Sequence, residues 1–204
     1  MATRKYDQRL RADAAEQTRR RILDAVYQRL REEPAEPVSV ERIAAMAQVS
    51  RSTVYLVFGS RAGLFDALGD DLRRRGGFDR PADGEADARR GLLHSIRASV
   101  PLFAEHRPVL RALYSMAALD PQAVGGVVER MGSDRAAGLA WHAERLAKQD
   151  VLAPGITAAE ATHLLWAVTG FEFFDQLYTG RGLPADEVAD LMVTAAERLV
   201  LQRY

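Results

Sequence analysis

The chain contains no cysteine, which excludes disulfides, thiolate nucleophiles and cysteine-ligated metals and suits a reducing cytoplasm. Long hydrophobic runs are missing as well. No stretch approaches the roughly 20 apolar residues that span a bilayer, and the N-terminus has no apolar signal segment, so a cytoplasmic protein without a membrane partner is expected. There is no Gly-rich phosphate loop, nucleophile elbow, His-Glu-x-x-His string or pair of carboxylates in an apolar setting, and no histidine pair with zinc-site spacing. These absences argue against an enzyme and against a cofactor or metal. No alternating β-branched run suggests a sheet.

What is present is helical periodicity, in 204 residues of which 48% are hydrophobic, enough for a sizeable core. The formal net charge of zero conceals an asymmetry. Residues 1–75 hold 15 Arg or Lys against 11 Asp or Glu, an excess of +4 that the remainder balances with −4. A basic first third is what phosphate contact requires, although so small an excess is also ordinary for solvated surface. The composition is rich in arginine and poor in lysine, as in proteins of GC-rich bacterial genomes.

In chain order, residues 1–17 are polar and basic without an apolar period, and read as a mobile arm or a frayed helix start. Arg4, Lys5, Arg9 and Arg11 would be its phosphate or minor-groove contacts. From about Thr18, the residues Ile22, Leu23, Val26, Tyr27 and Leu30 form an apolar stripe that ends before Pro34 and Pro37. Two short helical patterns follow, then a fourth helix with Leu64, Phe65, Leu68 and Leu72 inward, ending in Arg73, Arg74, Arg75 and the pair Gly76 and Gly77. Residues 78–88 read as a linker. Beyond it, Leu92, Leu93, Ile96, Val100 and Phe103 mark one helix, and Pro108 opens another with Val109, Leu110 and Leu113. A segment from Asp120 to about Lys148 is interrupted by glycines. Thr157 and Glu160 form a capping box before one long pattern over 158–178, and Pro184 begins the last helix.

The chain is organised around residues 39–65. Ser39 caps the first short helix, with Ile43, Ala44 and Ala47 inward, and Ser50 opens the second, with Val54, Val57 and Phe58 on one side. Ser52 and Leu56 then point outward, with Thr53 and Tyr55 on the flanks. Small alanines permit the close crossing that a helix-turn-helix needs, and its second helix presents its first turn and outward face to DNA base edges. Arg51 is long enough to reach a guanine edge or a phosphate, and Arg61 places a cation where a helix already has positive amides. Two helices of this size are, taken alone, as often plain core packing.

The string IAAMAQVSRSTVYLVFGSRAGLF resembles the signature of the tetracycline-repressor (TetR) family, in which I-A-x-x-A precedes G-V-S-x-x-T-x-Y-x-x-F and an S-K-x-x-L helix start. Ile43, Ala44, Ala47, Val49, Ser50, Thr53, Tyr55, Phe58, Ser60 and Leu64 carry the likeness, which covers about the first third of the chain. The resemblance implies an all-α fold, with an N-terminal arm, helix-turn-helix domain and fourth helix over 1–75 and a helical effector-binding and dimerisation domain over 76–204. It also implies that Ser39, Thr53, Tyr55 and Arg61 contact phosphates, while Arg51, Ser52 and Leu56 occupy sequence-reading positions. Two positions depart from the pattern. Gln48 stands where glycine is usual, so a left-handed turn there costs roughly 1 kcal/mol, and Val57 replaces a common phosphate donor.

By the same resemblance the protein is a regulator, by default a repressor, that binds double-stranded operator DNA as a homodimer through its last two helices and is released by a small-molecule effector. A pendulum-like shift of the fourth helix would carry that signal. Palindromic DNA independently favours a dimer, since two reading heads about 34 Å apart meet successive turns of one face. Phe174, Leu177, Leu191 and Ala195 are the expected interface residues. His94, Tyr114, Met116, Trp141, His142, Trp166 and Phe171 are the effector candidates, since an apolar ligand needs aromatics with a few polar groups, although such residues also serve as plain core. The competing readings are a helical interaction module and a small-molecule-binding protein with no regulatory role.

Overall fold

A computed structural model describes residues 2–34, 36, 38–75 and 85–202, with backbone alone for residues 2–11. Among the described residues every regular element is helical, apart from one antiparallel bridge between Leu152 and Leu201. None of these helices is long and apolar enough to cross a membrane. The chain divides into two compact units, Met1–Leu72 with Arg111–Val128 and Arg73–Leu110 with Glu129–Tyr204. The side chains of Arg4, Lys5, Arg9 and Arg11, the expected stop at Gly76 and Gly77, and residues 78–84 of the expected linker lie outside the described residues.

The first unit is built on α1 (Ala2–Glu32), α2 (Val40–Met46), α3 (Arg51–Phe58) and the greater part of α4 (Arg61–Arg75). Helix α1 begins well before Thr18. Its first turns carry no apolar stripe, and residues such as Ala12, Ala14, Ala15, Glu16 and Gln17 extend it by intrinsic propensity while staying exposed. From Ile22 onward burial takes over. Ile22, Val26 and Leu30 are fully buried, as are Ile43 on α2 and Phe65 and Leu68 on α4, and Val54 is the buried residue of α3. α1 packs on α2, and α2 on α3.

Residues 111–128 complete this unit with the end of α5 (Ala88–Leu119), a π-helical turn at Pro121–Gly125 and the start of α6 (Gly126–Lys148). The break expected at Pro108 does not occur, because α5 runs on with Pro101 and Pro108 inside it. Each proline removes one backbone donor, and the buried residues on either side, Val100, Phe103, Val109 and Leu113, hold the helix together across them. Gly69 on α4 is a close-approach position: a Cβ there would lie 2.3 Å from Cγ2 of Val127.

In the second unit the capping box of Thr157 and Glu160 starts α7 (Ala158–Val168), and its hydrogen bonds from Thr157 hold the Glu160 carboxyl below the usual range. The long helix expected over 158–178 is two. Thr169 closes α7, its hydroxyl donating to the Leu165 carbonyl at 2.7 Å, and Gly170 turns extended before α8 (Phe171–Tyr178). α9 (Ala185–Val200) follows Pro184 and packs on α7 and α8. Phe103, Phe171 and Phe174 form an aromatic core, with Tyr178 stacked on Phe174 at 5.0 Å.

Candidate nucleic-acid interface

The site is set by the turn between α2 and α3. The Val49 amide donates to the Ala44 carbonyl at 2.9 Å and the Gln48 amide to the Ala45 carbonyl at 3.1 Å. This is the paired pattern of a Schellman ending, whose reversing residue adopts the left-handed region and is most often glycine. Here that residue is Gln48, at φ 56°. The backbone keeps the turn despite the side chain, and Gln48 extends into solvent.

Helix α3 is held by its cap. The Ser50 hydroxyl oxygen accepts from the Thr53 amide at 3.0 Å and lies 2.8 Å from Oγ1 of Thr53 and 2.7 Å from Oγ of Ser52. Gly59, at φ 74°, ends the helix. On its exposed side stand Arg51, Ser52 and Leu56, with Leu56 86% exposed, while Thr53, Tyr55, Val57 and Phe58 are half-buried. Ser39 caps α2, accepting from the Arg42 amide at 3.2 Å.

Both cations of the expected site have protein partners. Arg51 pairs with Glu41 at 2.7 Å, joining α3 to α2, and its guanidinium lies 5.5 Å from the Tyr55 ring centre. Hydrogen bonding to Tyr55 and then the charge of Glu41 hold its pKa above the ordinary arginine value. Arg61 pairs with Asp120 at 2.5 Å and lies over Phe65 at 5.6 Å. Asp120 also caps the π-helical turn, accepting from the Ala123 amide at 3.2 Å. Glu41 and Asp120 read in the sequence only as helix-start residues, not as partners of these arginines. Asp120 is 59 positions from Arg61, and no local period links the two.

The expected effector residues are dispersed. Tyr114 and Met116, both half-buried, fall in the first unit, and His94 is exposed on α5 in the second. Phe171 is core. His142 is buried on α6, and burial, with the nearby Arg145 charge, pushes its pKa down to about 4. Trp141 and Trp166 are 40% and 38% exposed, each under an arginine: Arg145 at 4.6 Å and Arg135 at 3.7 Å. None of the seven lines the open cleft of about 310 Å³ bounded by Ala140, Glu144, Ala158, Ala159, Thr162 and His163. That lining is mostly small side chains, which carry no motif.

Of the expected interface residues, Phe174 is fully buried within its own unit against Phe103 and Tyr178, so its ring is core rather than surface. Leu177 and Ala195 are half-buried, and Leu191 is 40% exposed.

A capped short helix, a tight reversing turn and a second helix with an open polar edge, braced by α1 and α4, define a helix-turn-helix protein. Residues 22–68 match the model of the tetR family of bacterial regulatory proteins. Solved structures agree over about nine-tenths of the chain. NalD, the secondary repressor of the MexAB-OprM multidrug efflux pump in Pseudomonas aeruginosa, is 23% identical with a TM-score of 0.72, over 94% of this chain and 99% of that one. A TetR-like transcriptional regulator from a Rhodococcus species is 24% identical with a TM-score of 0.65, over 89% and 94% of the two chains. A Saccharomonospora viridis protein solved in complex with choline is 22% identical with a TM-score of 0.70, over 91% and 98%. These likenesses show a shared fold. No curated protein matches significantly.

Proposed function

We propose that the protein is a sequence-specific regulator that binds a palindromic operator as a homodimer, represses from it, and is released by a small molecule. The observation that carries this reading is the exposed face of α3, where Arg51, Ser52 and Leu56 stand clear of the core on a helix fixed by its Ser50 cap and the Gln48 turn. In the bound state Arg51, Ser52 and Leu56 face base edges, and Ser39, Thr53, Tyr55 and Arg61 contact phosphates. The second unit exposes Trp166, Leu191 and Leu199, apolar surface of the kind that a second copy covers. Its open cleft has room for a small ligand.

Selection of bound fragments from random genomic DNA tests the operator, since a palindromic consensus establishes specificity and two-fold symmetry together. Binding that is only weak and sequence-blind sinks the reading. An interaction module that uses the same fold for a protein partner is distinguished by R51A and Y55A, which abolish operator binding but leave such a partner bound.

A further inference from the structure

We propose that Leu56 is a specificity-determining residue that reads the C5-methyl group of a pyrimidine, in ordinary DNA a thymine, in the major groove. This rests on the reading of α3 as the helix that enters the groove. Leu56 lies one turn beyond Ser52 on the same side of α3 and about 200° round the helix from the buried Val54. At 86% exposure it touches almost nothing in the protein. Single exposed leucines are common on surfaces, and Leu119 is as exposed at the end of α5. What sets Leu56 apart is its place on the outward face of the reading helix.

The polar groups around it are already engaged. Ser52 and Thr53 share the Ser50 hydroxyl, and Arg51 is drawn to Glu41. In the free protein these contacts hold the cap and the α2–α3 junction, whereas Leu56 has no such partner and is a branched hydrocarbon. It has no donor or acceptor with which to tell guanine from adenine. In the major groove the one apolar group on a base edge is the thymine methyl. An adenine–thymine pair with its thymine under Leu56 therefore buries hydrocarbon on both partners, whereas cytosine offers only a C5 hydrogen where the methyl would be.

The test uses full-length protein and the operator recovered by fragment selection. Thymines are replaced one at a time by deoxyuridine, which removes the methyl and keeps the pairing, and affinity is measured at fixed salt for wild type and L56A. One thymine per half-site is expected at which the replacement weakens wild-type binding about fourfold, the effect of one buried carbon, and leaves L56A unchanged. Specific binding in which no deoxyuridine matters, or in which L56A keeps the full methyl dependence, overturns the assignment while sparing the reading of α3. If the wild type shows no specific binding, both fall.

Discussion

The guanidinium of Arg61 and the carboxylate of Asp120 meet at 2.5 Å, joining the first residue of α4 to the turn between α5 and α6 within one compact unit. The cation expected to grip a phosphate is thus already paired. D120N keeps an oxygen for the Ala123 amide and removes the charge that competes with DNA. Both partners are partly exposed, at 34% and 42%, so the pair contributes about 1 kcal/mol or less. Operator affinity should rise up to about fivefold in D120N. R61A should weaken binding to all sequences and reduce the slope of log affinity against log salt by about one. An unchanged slope would place Arg61 away from the phosphates.

Gln48 holds a left-handed backbone with a side chain that makes such a conformation costly. Q48G removes that strain but gives the unfolded chain more freedom, so a net gain of about 0.5 to 1 kcal/mol is expected. A β-branched replacement, Q48V, should destabilise. Urea unfolding of the three proteins decides the sign, and a Q48G less stable than wild type would show that the glutamine contributes something its backbone angle does not reveal.

The pH dependence of stability carries the mark of His142. Its folded pKa is pushed down to about 4 by burial, against about 6.5 for an exposed histidine. Between these values the unfolded chain binds the proton and the folded chain does not, so stability rises with pH across that window. The contribution is complete above about pH 6.5 and is lost as pH falls toward 4, amounting to about 3 kcal/mol at most. Guanidinium titrations at intervals between pH 4 and 7 should show a steeper loss in wild type than in H142L. Equal slopes would mean that His142 titrates normally in the fold.

Phe174 and Leu191 should separate folding from assembly. F174A empties a fully buried site between Phe103 and Tyr178 and should cost about 3 to 5 kcal/mol of stability. L191E alters an exposed position and should leave the helical content and the protomer core intact while shifting sedimentation from dimer to monomer. A dimer that survives L191E at micromolar concentration would put the interface elsewhere.

The helix-turn-helix was legible because its information is local. Ser39, Ser50 and the apolar spacing of Ile43, Ala44, Ala47 and Val54 specify caps and a buried side within a few residues, and the structure uses each in that way. The Gln48 turn was legible as a conflict, which the backbone resolves in favour of the turn. Longer-range features were not. Phe174 shares a helix with surface residues, and nothing in its spacing says that Phe103, 71 positions earlier, covers it. The α7–α8 break was hidden because an apolar period crosses Thr169 and Gly170 almost undisturbed. Pro108 misled in the opposite direction, since a proline inside a helix and a proline that opens one read alike until the packing is known.

The contact at Gly69 constrains how α4 can move. A methyl of Val127 occupies the place where Gly69 has no Cβ, as a key sits in a notch. Sliding α4 along its axis by a turn would bring the side chain of Phe65, Asp66, Leu72 or Arg73, which share that face, against the methyl. Any larger residue at position 69 would have to displace that methyl, so α4 can lie this close to the start of α6 only because Gly69 carries no side chain.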